Sequence, residues 1–131
     1  MSNLRGIFLE LLTYKFLQFT YSEKQINHES ILIIGDFVTN PIDFVIKRES
    51  DIDCYECKFS SYSIKKNQID IFIGLKNKSI YLNVSLVLFE SRQDTLRILN
   101  SNNKINYILN EDKYKINFIN LEDFVNKNPF E

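Results

Sequence analysis

Ile42-Asp43-Phe44-Val45-Ile46 and Asp53-Cys54-Tyr55-Glu56-Cys57-Lys58-Phe59, joined by the polar run Lys47-Arg48-Glu49-Ser50-Asp51, decide the fold of this chain. Both apolar runs read as strands, being rich in β-branched and aromatic residues. The connection has the length of a hairpin or a slightly longer loop. Each strand carries an acid where a carboxylate is costly unless it has a partner. Side chains alternate along a strand, so Glu56 and Lys58 point the same way. Asp53 falls on the opposite face and reads as structural. Asp43 lies far enough upstream for one strand to finish and its neighbour to bring Glu56 alongside. Two carboxylates and an ammonium would then meet at one spot. Paired carboxylates attract a hard divalent cation such as magnesium. A lysine beside them orients or activates water and stabilises developing negative charge.

Outward from these strands, the spacing predicts a helix over Leu4 to Phe19, with Leu4, Ile7, Phe8, Leu11, Leu12 and Phe16 as its apolar positions. Ser2 or Asn3 is suited to cap it. Gly6 and Glu10 share one side, and a glycine there costs helix stability while admitting close approach of another backbone. Tyr21 to Ser30 reads as a polar loop. Ile31 to Val38 reads as a strand with an interruption at Gly35, and Thr39-Asn40-Pro41 as a turn into the Asp43 strand. Asp36 is a secondary acidic candidate near that bend. Ile64 to Leu75 predicts a second helix whose apolar face contains Gln68, a polar amide that must find a partner if buried. An amide at the edge of the stripe that meets solvent is the commoner case. Ser79 to Phe89 reads as a strand reached by a parallel crossover. Gln93 to Leu99 reads as a short helix, Lys115 to Ile119 as a last strand and Leu121 to Asn126 as a closing helix.

Asp43, a short loop and then Glu56-Cys57-Lys58 resemble the D…(D/E)xK signature of the PD-(D/E)xK, or restriction-endonuclease-like, nuclease superfamily. Arg5-Gly6-Ile7-Phe8-Leu9-Glu10 is similar to the G-x-x-(F/L)-E helix that opens many of its members. The order helix, strand, strand, strand with ExK, helix, strand matches the superfamily core. The resemblance covers about the first ninety residues, and 91–131 form an extension without a family motif. It implies an α/β fold with a three-layer, restriction-endonuclease-like core, a mixed central sheet flanked by helices. It also implies Mg2+ or Mn2+ held directly by Asp43 and Glu56, with the backbone carbonyl of Cys57 as a further ligand. Glu10 would bind through water or order the site, and Lys58 would position or activate the attacking water. Gln68 would support the site or contact nucleic acid. For Glu10 the ordinary alternative is a solvated or ion-paired helix residue. The activity implied is hydrolysis of a phosphodiester, in DNA before RNA, by an endonuclease. The short form is similar to small resolvase-like or defence-related nucleases, and to nuclease-like domains that follow an ATPase module. A homodimer, a fused or associated ATPase, or a defence partner would complete the grip on a duplex.

Composition sets the limits of this reading. At 131 residues the chain suits one domain, 1–131, with a real core. Its net charge of −1 gives no global attraction to nucleic acid. From Lys58 to Lys104, however, Lys58, Lys65, Lys66, Lys76, Lys78, Arg92, Arg97 and Lys104 face only Asp70, Glu90 and Asp94. A local basic face or a merely solvated surface would produce that imbalance. Cys54 and Cys57 have C-x-x-C spacing, but no second pair completes a zinc site and His28 is the sole histidine. Three apart on a strand, they face opposite sides, so small buried hydrophobes in a reducing, cytoplasmic compartment are expected. No signal-like segment or membrane span is expected. A Walker loop, a dinucleotide fingerprint and a G-x-S-x-G elbow are absent from the sequence. Near-neutral charge and the long apolar strand also suit a second class, a catalytically silent module of the same fold acting as an immunity or partner protein. No aromatic platform for single strands stands out in the sequence.

Overall fold

The computed structural model describes residues 2–131, and for Ser2, Asn3, Glu111 and Asp112 the backbone alone. The expected cap at Ser2 or Asn3 therefore falls on side chains outside the described residues. The chain is α/β. Its five-stranded mixed sheet has the order β1(Ile26–Ser30), β4(Ile42–Lys47), β5(Ile52–Lys58), β6(Leu82–Leu88), β7(Ile116–Ile119). β1, β4 and β5 run antiparallel in succession, whereas β5, β6 and β7 are parallel. The mixture follows from connection length. A four-residue polar turn joins β4 to β5, while α2(Lys66–Lys78) carries the chain from β5 back to the start of β6. A small hairpin, β2(Ile33–Ile34) with β3(Phe37–Val38), stands beside the sheet.

Helices cover both faces. α1(Ser2–Gln18) packs Leu9 and Leu17 against Phe44, Ile46, Tyr55 and Val87 on one side, joined by Phe124 of α5(Leu121–Asn126) and by Phe130. On the other side α2 places Phe72 and Leu75 against Val45, Cys54, Leu82 and Val84. There Ile69 of α2 and Leu99 of α3(Arg92–Asn100) meet Leu86, Leu88, Ile116 and Phe118. Residues beyond 90 thus supply the edge strand β7 and a large share of one core layer. A last short helix, α4(Glu111–Tyr114), precedes β7. Among the described residues, no helix is long and apolar enough to cross a membrane.

Several expectations change. The loop expected over Tyr21 to Ser30 ends in the edge strand β1, whose sequence Ile-Asn-His-Glu-Ser lacks apolar alternation and forms a strand by pairing with β4. The strand expected over Ile31 to Val38 is the β2–β3 hairpin, turned at Gly35 with φ +61°. Asp36 sits exposed in that turn, away from the sheet's acids. The hairpin seats against α2 through Gly74, where an added Cβ would lie 2.4 Å from the Phe37 ring. The second helix starts later than expected, because Ser61–Ser63 forms a 3-10 turn first. The apolar face expected for α1 is not the one it buries. Leu9, Thr13 and Leu17 are buried, whereas Leu4, Ile7, Phe8 and Leu11 stay half or more exposed. Helix α1 is apolar on two sides, so periodicity alone does not choose between them. An added Cβ at Gly6 would meet nothing within 4 Å, so the glycine serves no close approach among the described residues.

Two stability measurements check this packing. By urea denaturation, Leu9→Ala should cost about 2–5 kcal/mol as a buried-cavity substitution, whereas Leu11→Ala should stay within about 0.5 kcal/mol. Gly6→Ala should stabilise the chain by about 0.5–1 kcal/mol, since it restores helix propensity without a clash.

Candidate metal centre

Strands β4 and β5 stop pairing at Phe44 and Tyr55. Beyond that point two carboxylates take over the backbone donors. Asp43 Oδ2 accepts the Cys57 amide N–H at 2.7 Å, and Glu56 Oε1 accepts the Asp43 amide N–H at 3.1 Å. Each acid therefore fastens the other's strand, and the strands open as a fork with both carboxylates in it. The remaining Glu56 oxygen, Oε2, accepts a hydrogen bond from the Gln68 side-chain amide of α2. On the other side the Glu10 carboxyl of α1 lies beside that of Asp43, and its Oε1 lies 3.5 Å from His28 Nε2. His28, Glu10, Asp43, Glu56 and Gln68 thus form one chain of contacts running through the fork, from the α1 layer to the α2 layer. Lys58 follows Glu56 on the same strand face, close enough for its charge to favour the ionised glutamate.

Burial governs the electrostatics. Glu56 is only 5 % exposed, and desolvation, followed by the Asp43 charge, pushes its carboxyl up to about 8 from an ordinary 4.5. Glu10 is also raised, first by desolvation and then by its contact with Asp43, while His28 acts in the opposite direction. Neighbouring acids that resist joint ionisation are the electrostatic signature of a place that a cation would relieve.

The donor set fits a hard divalent ion, since one or two carboxylates with water filling the other positions is the usual magnesium arrangement. Asp43 and Glu56 are the residues that could hold it, each oxygen keeping a second lone pair beside its present hydrogen bond. Glu10 stands behind Asp43. Among the described residues, no three or more His, Cys, Asp and Glu side chains are gathered into a ready-made centre. The arrangement is thus a carboxylate pair, Asp43 and Glu56, with a third acid, Glu10, beside Asp43. Cys57 contributes its amide N–H to Asp43, and its thiol donates toward Thr13 Oγ1 at 3.5 Å. Burial raises that thiol well above its ordinary value, which suits an inert small hydrophobe. Cys54 lies in the opposite core layer, and both cysteines are free.

Asp53 is where strand alternation expects it, away from Glu56. Arg48 Nε donates to Asp53 Oδ2 at 2.6 Å and Arg48 Nη2 to Oδ1 at 3.0 Å, with Asn83 Nδ2 donating at 2.9 Å. Both oxygens of its carboxylate thus have partners. Lys66 pairs with Asp70 at 2.6 Å, one turn along the same helix. Gln68 turns inward to Glu56 and is not the solvent-facing amide that its place on the stripe suggests.

Sequence reasoning missed two participants. His28 was hidden because β1 carries no strand pattern. Glu90 reads in the sequence only as one of three acids opposing a basic run. It is a buried carboxylate that accepts from the Ser61 amide N–H at 3.0 Å, from the Ser61 hydroxyl, and from Thr95 Oγ1 at 2.5 Å. These bonds anchor the 3-10 turn that carries the chain from Lys58 toward Gln68. No family model, curated protein or solved structure matches this chain.

Two outcomes follow from these contacts. The unfolded chain loses the Glu56 proton near 4.5 and the folded chain near 8, so folding takes up a proton between those values. Stability of the metal-free protein should therefore fall as pH rises through that window, and Glu56→Gln should flatten the fall in urea midpoints measured across it. Glu90→Ala leaves three buried donors without an acceptor and should cost about 3 kcal/mol or more in the same assay.

Proposed function

We propose that this chain is a divalent-metal-dependent phosphodiester hydrolase of the PD-(D/E)xK, restriction-endonuclease-like class, acting on DNA in preference to RNA. The observation that carries the reading is the fork: Asp43 and Glu56 from adjacent strands share one pocket of hydrogen bonds, with Glu10 and Gln68 closing it from the two helix layers. The mixed five-stranded sheet with helices on both faces is compatible with that class. Asp43 and Glu56 would hold Mg2+ or Mn2+, with the Cys57 carbonyl as a further oxygen donor. When bound, such an ion polarises a phosphate and lowers the pKa of water.

The chain's own residues divide the remaining work. Gln68 and the Asp43 amide fix both oxygens of Glu56, so its carboxylate keeps one orientation. The Cys57 amide does the same for Asp43. Glu10 extends the acidic cluster toward solvent, where substrate arrives. The Lys58 ammonium, on the Glu56 face of β5, would draw the scissile phosphate and hold the attacking water beside it.

A silent interaction module of the same fold is the second reading. Burying Glu56 beside Asp43 weighs against it, because uncompensated acids destabilise a fold that has no use for them. A cleavage assay on supercoiled, linear, branched and single-stranded DNA and on RNA separates the two. Metal-dependent cleavage should occur and should fall by at least about a hundredfold in Lys58→Ala and in Asp43→Ala. Absence of cleavage together with absence of metal binding would favour the silent module.

A further inference from the structure

A groove of about 480 Å³ opens between α1 and the edge of the sheet, lined in part by Ile7, Glu10, Leu11, Tyr14, His28 and Phe44. It adjoins the carboxylate fork, because Glu10, which lies beside Asp43, and Phe44, the residue after it, both line the groove. Three of its rings share an orientation. Tyr14 stacks on Phe44 with a centroid separation of 6.1 Å and planes 9° apart, and His28 stacks on Phe44 at 5.0 Å and 23°. Ile7 and Leu11 are 50 % and 63 % exposed, so the outer wall is apolar and open.

We propose that this groove takes an unpaired nucleobase next to the scissile phosphate, which makes the substrate a single-stranded segment, loop or frayed end. The inference rests on the phosphodiesterase reading above. Neither lysine nor arginine is among the groove's described lining residues, and Glu10 and Glu29 are, so it repels a phosphate backbone. A flat, uncharged ring is what its apolar wall fits, and since Phe44 is only 2 % exposed the base would stack on the exposed His28 ring, every base having such a face. The volume is in the range of sites for small organic groups. Glu10 and Phe44, the residue after Asp43, place a base here beside the Asp43 end of the fork. A fully paired helix would leave the groove empty.

The test measures binding by fluorescence anisotropy, with calcium replacing magnesium. The probes are a blunt DNA duplex, the same duplex with an unpaired thymine loop, and matching RNA versions. The looped probe should bind on the order of tenfold tighter than the blunt one, and Ile7→Ser with Leu11→Ser should remove most of that difference while leaving blunt-duplex affinity unchanged. In the metal-free protein, thymidine monophosphate should shift the ring resonances of Tyr14 and His28. Equal affinity for both probes, unaltered by the double substitution while metal-dependent cleavage persists, would overturn the groove assignment and leave the hydrolase standing. No binding or cleavage of any nucleic acid would overturn both. A concentration-dependent dimer dissociated by the double substitution, with no base preference, would assign the groove to a second copy instead.

Discussion

The reciprocal fastening of Asp43 and Glu56 is the constraint on which the rest of this structure depends. Antiparallel pairing normally satisfies the backbone donors of both strands. Here the ladder ends at Phe44 and Tyr55, and the next donors on each strand are satisfied by the other strand's carboxylate. Buried backbone N–H groups require acceptors. The two acids therefore complete the sheet's hydrogen bonding while holding its strands apart. Removing either one would leave a backbone donor without its acceptor and free a strand end.

The fork also explains why helices from opposite layers converge there. A carboxylate as deeply buried as Glu56 must be hydrogen-bonded or neutralised. Gln68 reaches it from α2, while Glu10 of α1 lies beside Asp43 and is met in turn by His28 of β1. The Glu90 network supports this indirectly by tying the turn after β5 to α3, through Ser61 and Thr95. Buried acids thus recur at both ends of the segment that links Lys58 to Gln68. The first is satisfied in full by hydroxyl and amide donors. The second shares its space with another acid, and burial together with that neighbour raises its carboxyl.

Much of this arrangement was legible in the sequence, for identifiable reasons. Asp43, Glu56 and Lys58 stand out because each interrupts a strand of strong β propensity, and period-two alternation puts Glu56 and Lys58 together and Asp53 apart. Glu10 was marked only by the resemblance of its Gly6-to-Glu10 helix to the nuclease superfamily, since helical spacing does no more than place it on the Gly6 side. Gln68 is visible as a polar residue on an apolar stripe, but only the structure shows that it turns toward Glu56. The helix face chosen for α1 was illegible because both of its sides are apolar. Edge strand β1 was illegible because Asn27, His28 and Glu29 have no strand periodicity and pair only once β4 is present. That omission hid His28 and, with it, the stacked rings of the groove. Glu90 gave no local signal, since its partners lie 29 and 5 residues away in sequence.

The central claim is that the Asp43–Glu56 fork is a divalent-cation site. It is tested most directly by titrating Mn2+ into the isotopically labelled protein and mapping paramagnetic broadening by NMR. The account predicts that resonances of Asp43, Glu56, Cys57 and the Gln68 side-chain amide vanish first, and that Glu56→Gln weakens the effect. Broadening centred on Asp51 and Asp53, or no saturable broadening at all, would contradict it.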